Sequence, residues 1–129
     1  MPVTTGITTV SLVCIPTVKQ DEAIDFYVEQ LGFEKRTDTA FGDGSMRWVE
    51  VYPPEGPTGI ALAPPPPGQT VEPRDTGIIL SVSDVDAVRA ELAERGVDID
   101  AEVTRFGGPV PPMAWFCDPE GNRLLIVES

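Results

Sequence analysis

Two apolar runs separated by Asp118-Pro119-Glu120-Gly121-Asn122 restrict the C-terminal part of this chain to an antiparallel hairpin. Residues 113–117 and 124–128 supply its strands. Asp118 can accept bonds from backbone amides ahead of it, Pro119 fixes one φ, and Gly121 or Asn122 takes positive φ at little cost. An isolated hairpin is marginal in water, so this one needs further strands and a helix to cover its apolar side.

The upstream sequence supplies them twice. Residues 7–15 read as a strand ending at Pro16. Between 20 and 31 the spacing becomes helical, with Ala23, Ile24, Tyr27, Val28 and Leu31 on one side and Asp21, Glu22, Asp25 and Glu29 on the other. Gly32 is a natural stop. Strands follow at 33–39, 45–52 and 58–63. After a connector rich in proline at 64–75, residues 77–82 read as a strand and 84–95 as a helix closed by Gly96. A short strand at 99–103 and a Gly/Pro-rich loop at 105–112 then lead into the hairpin.

Both halves therefore read β-α-β-β-β, and residues 12–19 align with 77–84 ahead of each helix. A repeat of about 65 residues that occurs only twice describes paired modules rather than a solenoid. The expected fold is α+β, one domain over 1–129 with modules at 7–63 and 76–129. Two such modules can form curved four-stranded sheets around a cleft, with helices on the outer faces and strand alternation selecting the side chains that enter.

Bulk properties narrow the partners. A hydrophobic content of 41% is enough for a packed interior. The formal net charge of −12 is shared by both halves and repels nucleic acid and anionic membrane, since phosphate contacts are normally made by Lys or Arg. The apolar runs are too short to span a bilayer, and the N-terminus has no basic region followed by an apolar core. Cytoplasm is the expected compartment. Cys14 and Cys117 fall inside apolar runs and read as buried free thiols.

Phe26-Tyr27 with Leu31-Gly32-Phe33, the second start at Ser83-Asp84-Val85-Asp86, and Asp118-Pro119-Glu120-Gly121-Asn122 followed by Leu124-Leu125-Ile126-Val127-Glu128 carry a resemblance. The chain resembles the vicinal oxygen chelate superfamily, which includes glyoxalase I, extradiol dioxygenases and bleomycin-resistance proteins. The resemblance implies its fold but not one reaction, because members include metalloenzymes and metal-free binding proteins. In metal-dependent members, four strand positions, usually His, Gln or Glu, ligate the ion. Those positions fall here at Leu12, Ala61, Gly77 and Leu125, none of which offers a ligand atom, and the chain has no His. The expectation is no metal and no cofactor.

Other chemistry is sparse. Glu50 shares strand parity with Met46 and Trp48; on an inward face it would be a carboxylate beside apolar walls, able to bind a cation or act as a base. Trp48 and Trp115 occupy equivalent places in the two modules and suit walls for a planar ligand, or core packing. Phe41 and Phe106 lie in Gly-rich loops, and Arg105 stands at the mouth of the second, facing either an acidic ligand group or a surface salt bridge. Arg47 should face away from Trp48.

The leading expectation is a metal-free protein binding a small organic molecule, cationic or aromatic, through Trp48, Glu50, Trp115, Arg105 and Phe106, as a homodimer in which two chains complete the cleft. A lyase, isomerase or dioxygenase-like enzyme with a non-standard site, and an interaction protein with a filled cleft, are the alternatives.

Overall fold

The structure, a computed structural model, describes residues 5–129. Its strands are β1 (Leu12–Pro16), β2 (Glu34–Phe41), β3 (Met46–Tyr52), β4 (Gly59–Ala63), β5 (Asp75–Val82), β6 (Asp98–Ile99), β7 (Met113–Cys117) and β8 (Arg123–Glu128). Helix α1 (Gln20–Asp25) continues through a π-helical turn, Phe26–Gln30, and α2 spans Val85–Glu94. The strands form two sheets of the same topology, β1-β4-β3-β2 and β5-β8-β7-β6. In each, the first and last strands of the module run parallel and the remaining pairs antiparallel.

Both helices end as their sequences require. Gly32 at φ +81° and Gly96 at φ +85° take the left-handed conformation that lets the chain turn back. The Phe33 amide bonds the Tyr27 carbonyl at 2.9 Å, and the Val97 amide bonds that of Leu92 at 3.0 Å. Asp84 caps α2 by accepting from the Ala87 amide at 3.1 Å. The π turn, marked by the Leu31 amide on the Phe26 carbonyl at 3.1 Å, accommodates one extra residue in the helical register. The adjacent Phe26 and Tyr27 are both buried.

One continuous core joins the modules. Val49, Val51, Ile60 and Leu62 of the first sheet, Ala114, Phe116, Leu124 and Ile126 of the second, and Phe26, Tyr27, Val85 and Leu92 from the helical segments belong to it. Phe26 packs on Phe116 with ring centroids 6.3 Å apart. The helix-covered sides of the two sheets thus meet within one chain. By strand alternation, the alternate residues of each sheet occupy an open face directed away from this core.

Several boundaries differ from the sequence expectation. Strand β1 begins at Leu12, not at residue 7, and Ile7 is 84% exposed. Its partner β4 offers pairing only from Gly59, just after Pro57 and Thr58. Strand β5 begins at Asp75 and carries a register irregularity before Ile79, with Gly77 at φ +72°. Strand β6 is two residues long; Asp100 still bonds Trp115 of β7, and residues 101–103 then leave the sheet before an isolated bridge joins Thr104 to Met113. Cys14 is exposed rather than buried, because parity places it on the open face; Cys117 is half-buried and both thiols are free.

Candidate functional site

Strand β3 reads Met46-Arg47-Trp48-Val49-Glu50-Val51-Tyr52. Its pleat sends Val49 and Val51 into the core and places Trp48, Glu50 and Tyr52 together on the open face. The Glu50 carboxylate accepts from the Trp48 indole N–H at 2.8 Å and from the Tyr52 hydroxyl at 2.8 Å. Each oxygen is therefore held by one neutral donor, which fixes the group, and among the described residues no cation lies within salt-bridge distance of it. The Glu50 carboxylate also raises the Tyr52 hydroxyl above its ordinary range, keeping it protonated as a donor.

Aromatic groups frame this carboxylate. Phe41 meets Trp48 edge to face, with centroids 6.3 Å apart and planes at 82°. The Tyr52 ring lies against Gly59, where a methyl group would come within 2.7 Å of it, so only glycine admits the ring there. Arg36 covers Tyr52 at 4.4 Å and bonds the Pro53, Pro54 and Gly56 carbonyls of the next turn. Tyr52, Gly59 and Arg36 were not among the expected site residues. Extending the parity of Trp48 and Glu50 by two positions finds Tyr52; nothing local finds Gly59, which lies opposite in the neighbouring strand.

The second open face carries Trp115 on β7, beside Leu125 on β8. The Arg123 guanidinium lies 4.8 Å from the Trp115 ring centroid, and the Trp115 amide bonds Asp100 at 3.1 Å. Trp48 and Trp115 thus belong to different sheets whose open faces both lie away from the shared core. Arg105 forms an ion pair with Asp86 of α2, and Phe106 is 67% exposed in the following loop. Arg47 faces the helix side, bonding Asp38 and Asp21 at 2.7 Å, as its alternation with Trp48 requires.

The four strand positions at which the resemblance places metal ligands carry no side chain that fits a metal here. Leu12, Ala61 and Leu125 have hydrocarbon side chains, and Gly77 has none. Among the described residues, no group of three or more His, Cys, Asp or Glu converges to supply an alternative donor set. Glu50 lies directly across from Ala61 in the β3–β4 pair, so a single carboxylate borders that region. Partial desolvation by neighbouring groups raises the exposed Cys14 thiol and the half-buried Cys117 thiol, which disfavours the nucleophilic thiolate in both.

No helix among the described residues is long and apolar enough to cross a membrane. The family model for the Glyoxalase/Bleomycin resistance protein/Dioxygenase superfamily matches residues 9–126. The uncharacterized protein YurT of Bacillus subtilis (strain 168) is 30% identical over 85% of this chain and 91% of its own length. TnmS3, an antibiotic binding protein from Streptomyces sp. CB03234, superposes with a TM-score of 0.82 at 34% identity, covering 97% of this chain and 98% of that one. A superfamily member from Sphaerobacter thermophilus DSM 20745 gives a TM-score of 0.84 at 35% identity, over 95% and 98% of the respective chains. With matching module topology and a family match across nearly its whole length, the chain belongs to the glyoxalase/bleomycin resistance protein/dioxygenase superfamily.

Proposed function

We propose that this protein is a cytoplasmic, metal-free binder of a small organic molecule that carries a positive charge beside an aromatic or planar group. The observation that carries this reading is the Glu50 carboxylate, fixed by Trp48 and Tyr52 beside the Phe41–Trp48 corner. A carboxylate held by neutral donors retains its charge for an incoming cation, and the adjacent rings attract that cation through their π faces. The chain's −12 charge adds long-range attraction of the same sign. Similarity to an antibiotic binding protein over nearly the full length supports binding as the activity.

The second half of the proposal concerns assembly. The open faces bearing Trp48 and Trp115 lie away from the common core, so a cleft walled by both requires two chains. We infer a homodimer in which the Trp48–Glu50 face of one protomer opposes the Trp115 face of its partner. Arg105 and Phe106 then belong to the rim. In an enzyme reading the Tyr52 hydroxyl, bonded to Glu50 at 2.8 Å, would be the second acid–base group, but that bond raises its pKa and keeps its proton in place, which favours binding.

Titration with bleomycin, a cationic glycopeptide, while following tryptophan fluorescence tests the binding reading. A saturable change at low micromolar ligand, weakened by Glu50→Gln, is expected. No saturable response to bleomycin or to simpler aromatic cations overturns it.

A further inference from the structure

A cavity of about 780 Å³ lies between the helix-side faces of the two sheets. Its walls are Val13 and Ile60 from the first sheet, Leu80 and Ile126 from the second, and Val88 and Leu92 from α2. These residues have the opposite strand parity to Leu12, Ala61 and Leu125, so the body of the cavity is on the helix side of the sheets, while Gly59, Ile79 and Ser81, of open-face parity, border it where it reaches the edge strands. Its volume is that of a pocket for one drug-sized molecule, a range of about 300–1,000 Å³.

The lining specifies what can enter. Among the described residues, no Asp, Glu, Lys or Arg borders the cavity, although 23% of the chain is charged. Of the three hydroxyl residues that border it, Thr58 donates to the Val10 carbonyl at 2.7 Å and Thr76 to that of Arg123 at 2.8 Å, which leaves Ser81 as the one neutral polar side chain able to meet a ligand. The wall strands pair with one another, Val13 opposite Ile60 and Leu80 opposite Ile126. A charged ligand would lose its hydration with no compensating charge, whereas an apolar one gains by leaving water.

The rim argues against a polypeptide occupant. It contains Pro53, Pro54 and Pro57, which have no N–H to donate to an incoming main chain. Arg36 holds this turn in place through the Pro53, Pro54 and Gly56 carbonyls, which also takes up acceptors that a peptide would use. A compact molecule without a hydrogen-bonding backbone meets neither obstacle.

We propose that the cavity between the modules is a second ligand site, selective for an uncharged, hydrocarbon-rich or fused-ring molecule. It is independent of the open-face reading, and the two sites have opposite preferences for charge.

The neutral fluorophore N-phenyl-1-naphthylamine, titrated into the full chain, tests this proposal. Saturable enhancement is expected, competed by 1-octanol and not by octyltrimethylammonium. Leu80→Phe should weaken probe binding at least tenfold, with Val88→Phe serving if the first variant fails to fold, while Trp48→Ala leaves the affinity within twofold. The absence of saturable enhancement, equal competition by the cation, or a Trp48→Ala loss matching that of the cavity variants would overturn it. A probe signal that disappears as protein concentration rises and dimer forms would assign the cavity to the second copy, which also overturns it.

Discussion

The Tyr27 hydroxyl donates to Asp118 at 3.1 Å across 91 positions of sequence, tying the π turn that follows α1 in the first module to the hairpin turn of the second. Asp118 organises that turn by accepting from the Glu120 and Asn122 amides at 3.0 and 2.8 Å and from the Asn122 side chain at 3.0 Å. Thr17, just beyond β1, donates to the Glu120 carboxylate. The Asp-Pro-Glu-Gly-Asn segment is therefore both a hairpin turn and the point at which the modules are joined.

Tyr27→Phe should destabilise the fold by about 1–3 kcal/mol, the usual cost of withdrawing one partner from a buried polar group. Phenylalanine retains the ring against Phe26 and Phe33, so the loss reports the hydroxyl and not a cavity. Urea unfolding measures it. A midpoint unchanged from wild type would show that the Tyr27–Asp118 bond contributes nothing.

The same pair sets an alkaline limit. Burial, followed by the nearby Asp118 and Glu120 carboxylates, holds the Tyr27 phenol far above its ordinary value of 10.0. Its raised folded pKa means that the unfolded chain loses this proton first. The contribution is complete below pH 10 and is lost as pH rises above it. Tyr52 is shifted in the same direction, so the diagnostic quantity is the difference between wild type and Tyr27→Phe. Melting temperatures from pH 8 to 11 should fall more steeply for wild type, and parallel curves would remove Tyr27 as the cause.

The helix ends were legible in sequence because glycine is the residue that reaches φ near +80° without strain, and Gly32 and Gly96 do so. Alternation likewise separated Trp48 and Glu50 from Val49 and Val51. Strand β1 was read too long because residues 7–11 have suitable composition, but a strand extends only as far as its partner, and the pairing with β4 begins at Gly59. The π turn was hidden because it inserts a residue into a periodicity that sequence reading takes as constant. The placement of Trp48 and Trp115 on separated open faces was also hidden. It follows from helix-side packing between modules, which leaves no mark in either strand's local pattern.

Gly59→Ala tests how the open-face site is built. A methyl group 2.7 Å from the Tyr52 ring must displace that ring, withdrawing one of the two donors that hold Glu50. Loss of one such bond corresponds to roughly tenfold in affinity. Isothermal titration with the aromatic cation that binds wild type should show this decrease. Tyr52→Phe should reproduce it, since that variant removes the same hydroxyl without crowding the strand. Wild-type affinity in both variants would detach Tyr52 from ligand recognition.

Mixing experiments test whether the proposed cleft spans two chains. If Glu50 and Trp115 of the same site come from different protomers, Glu50→Ala and Trp115→Ala homodimers each have two damaged clefts. A heterodimer of one chain of each places both substitutions in one cleft and leaves the other intact. Random reassortment of equal amounts makes half of the dimers mixed, so about one quarter of wild-type binding capacity should return at wild-type affinity. A site confined to one chain predicts no recovery, because every chain in the mixture carries one substitution. Light scattering must give twice the mass of the chain for the comparison to apply, and a monomeric mass at micromolar concentration would itself reject the shared cleft.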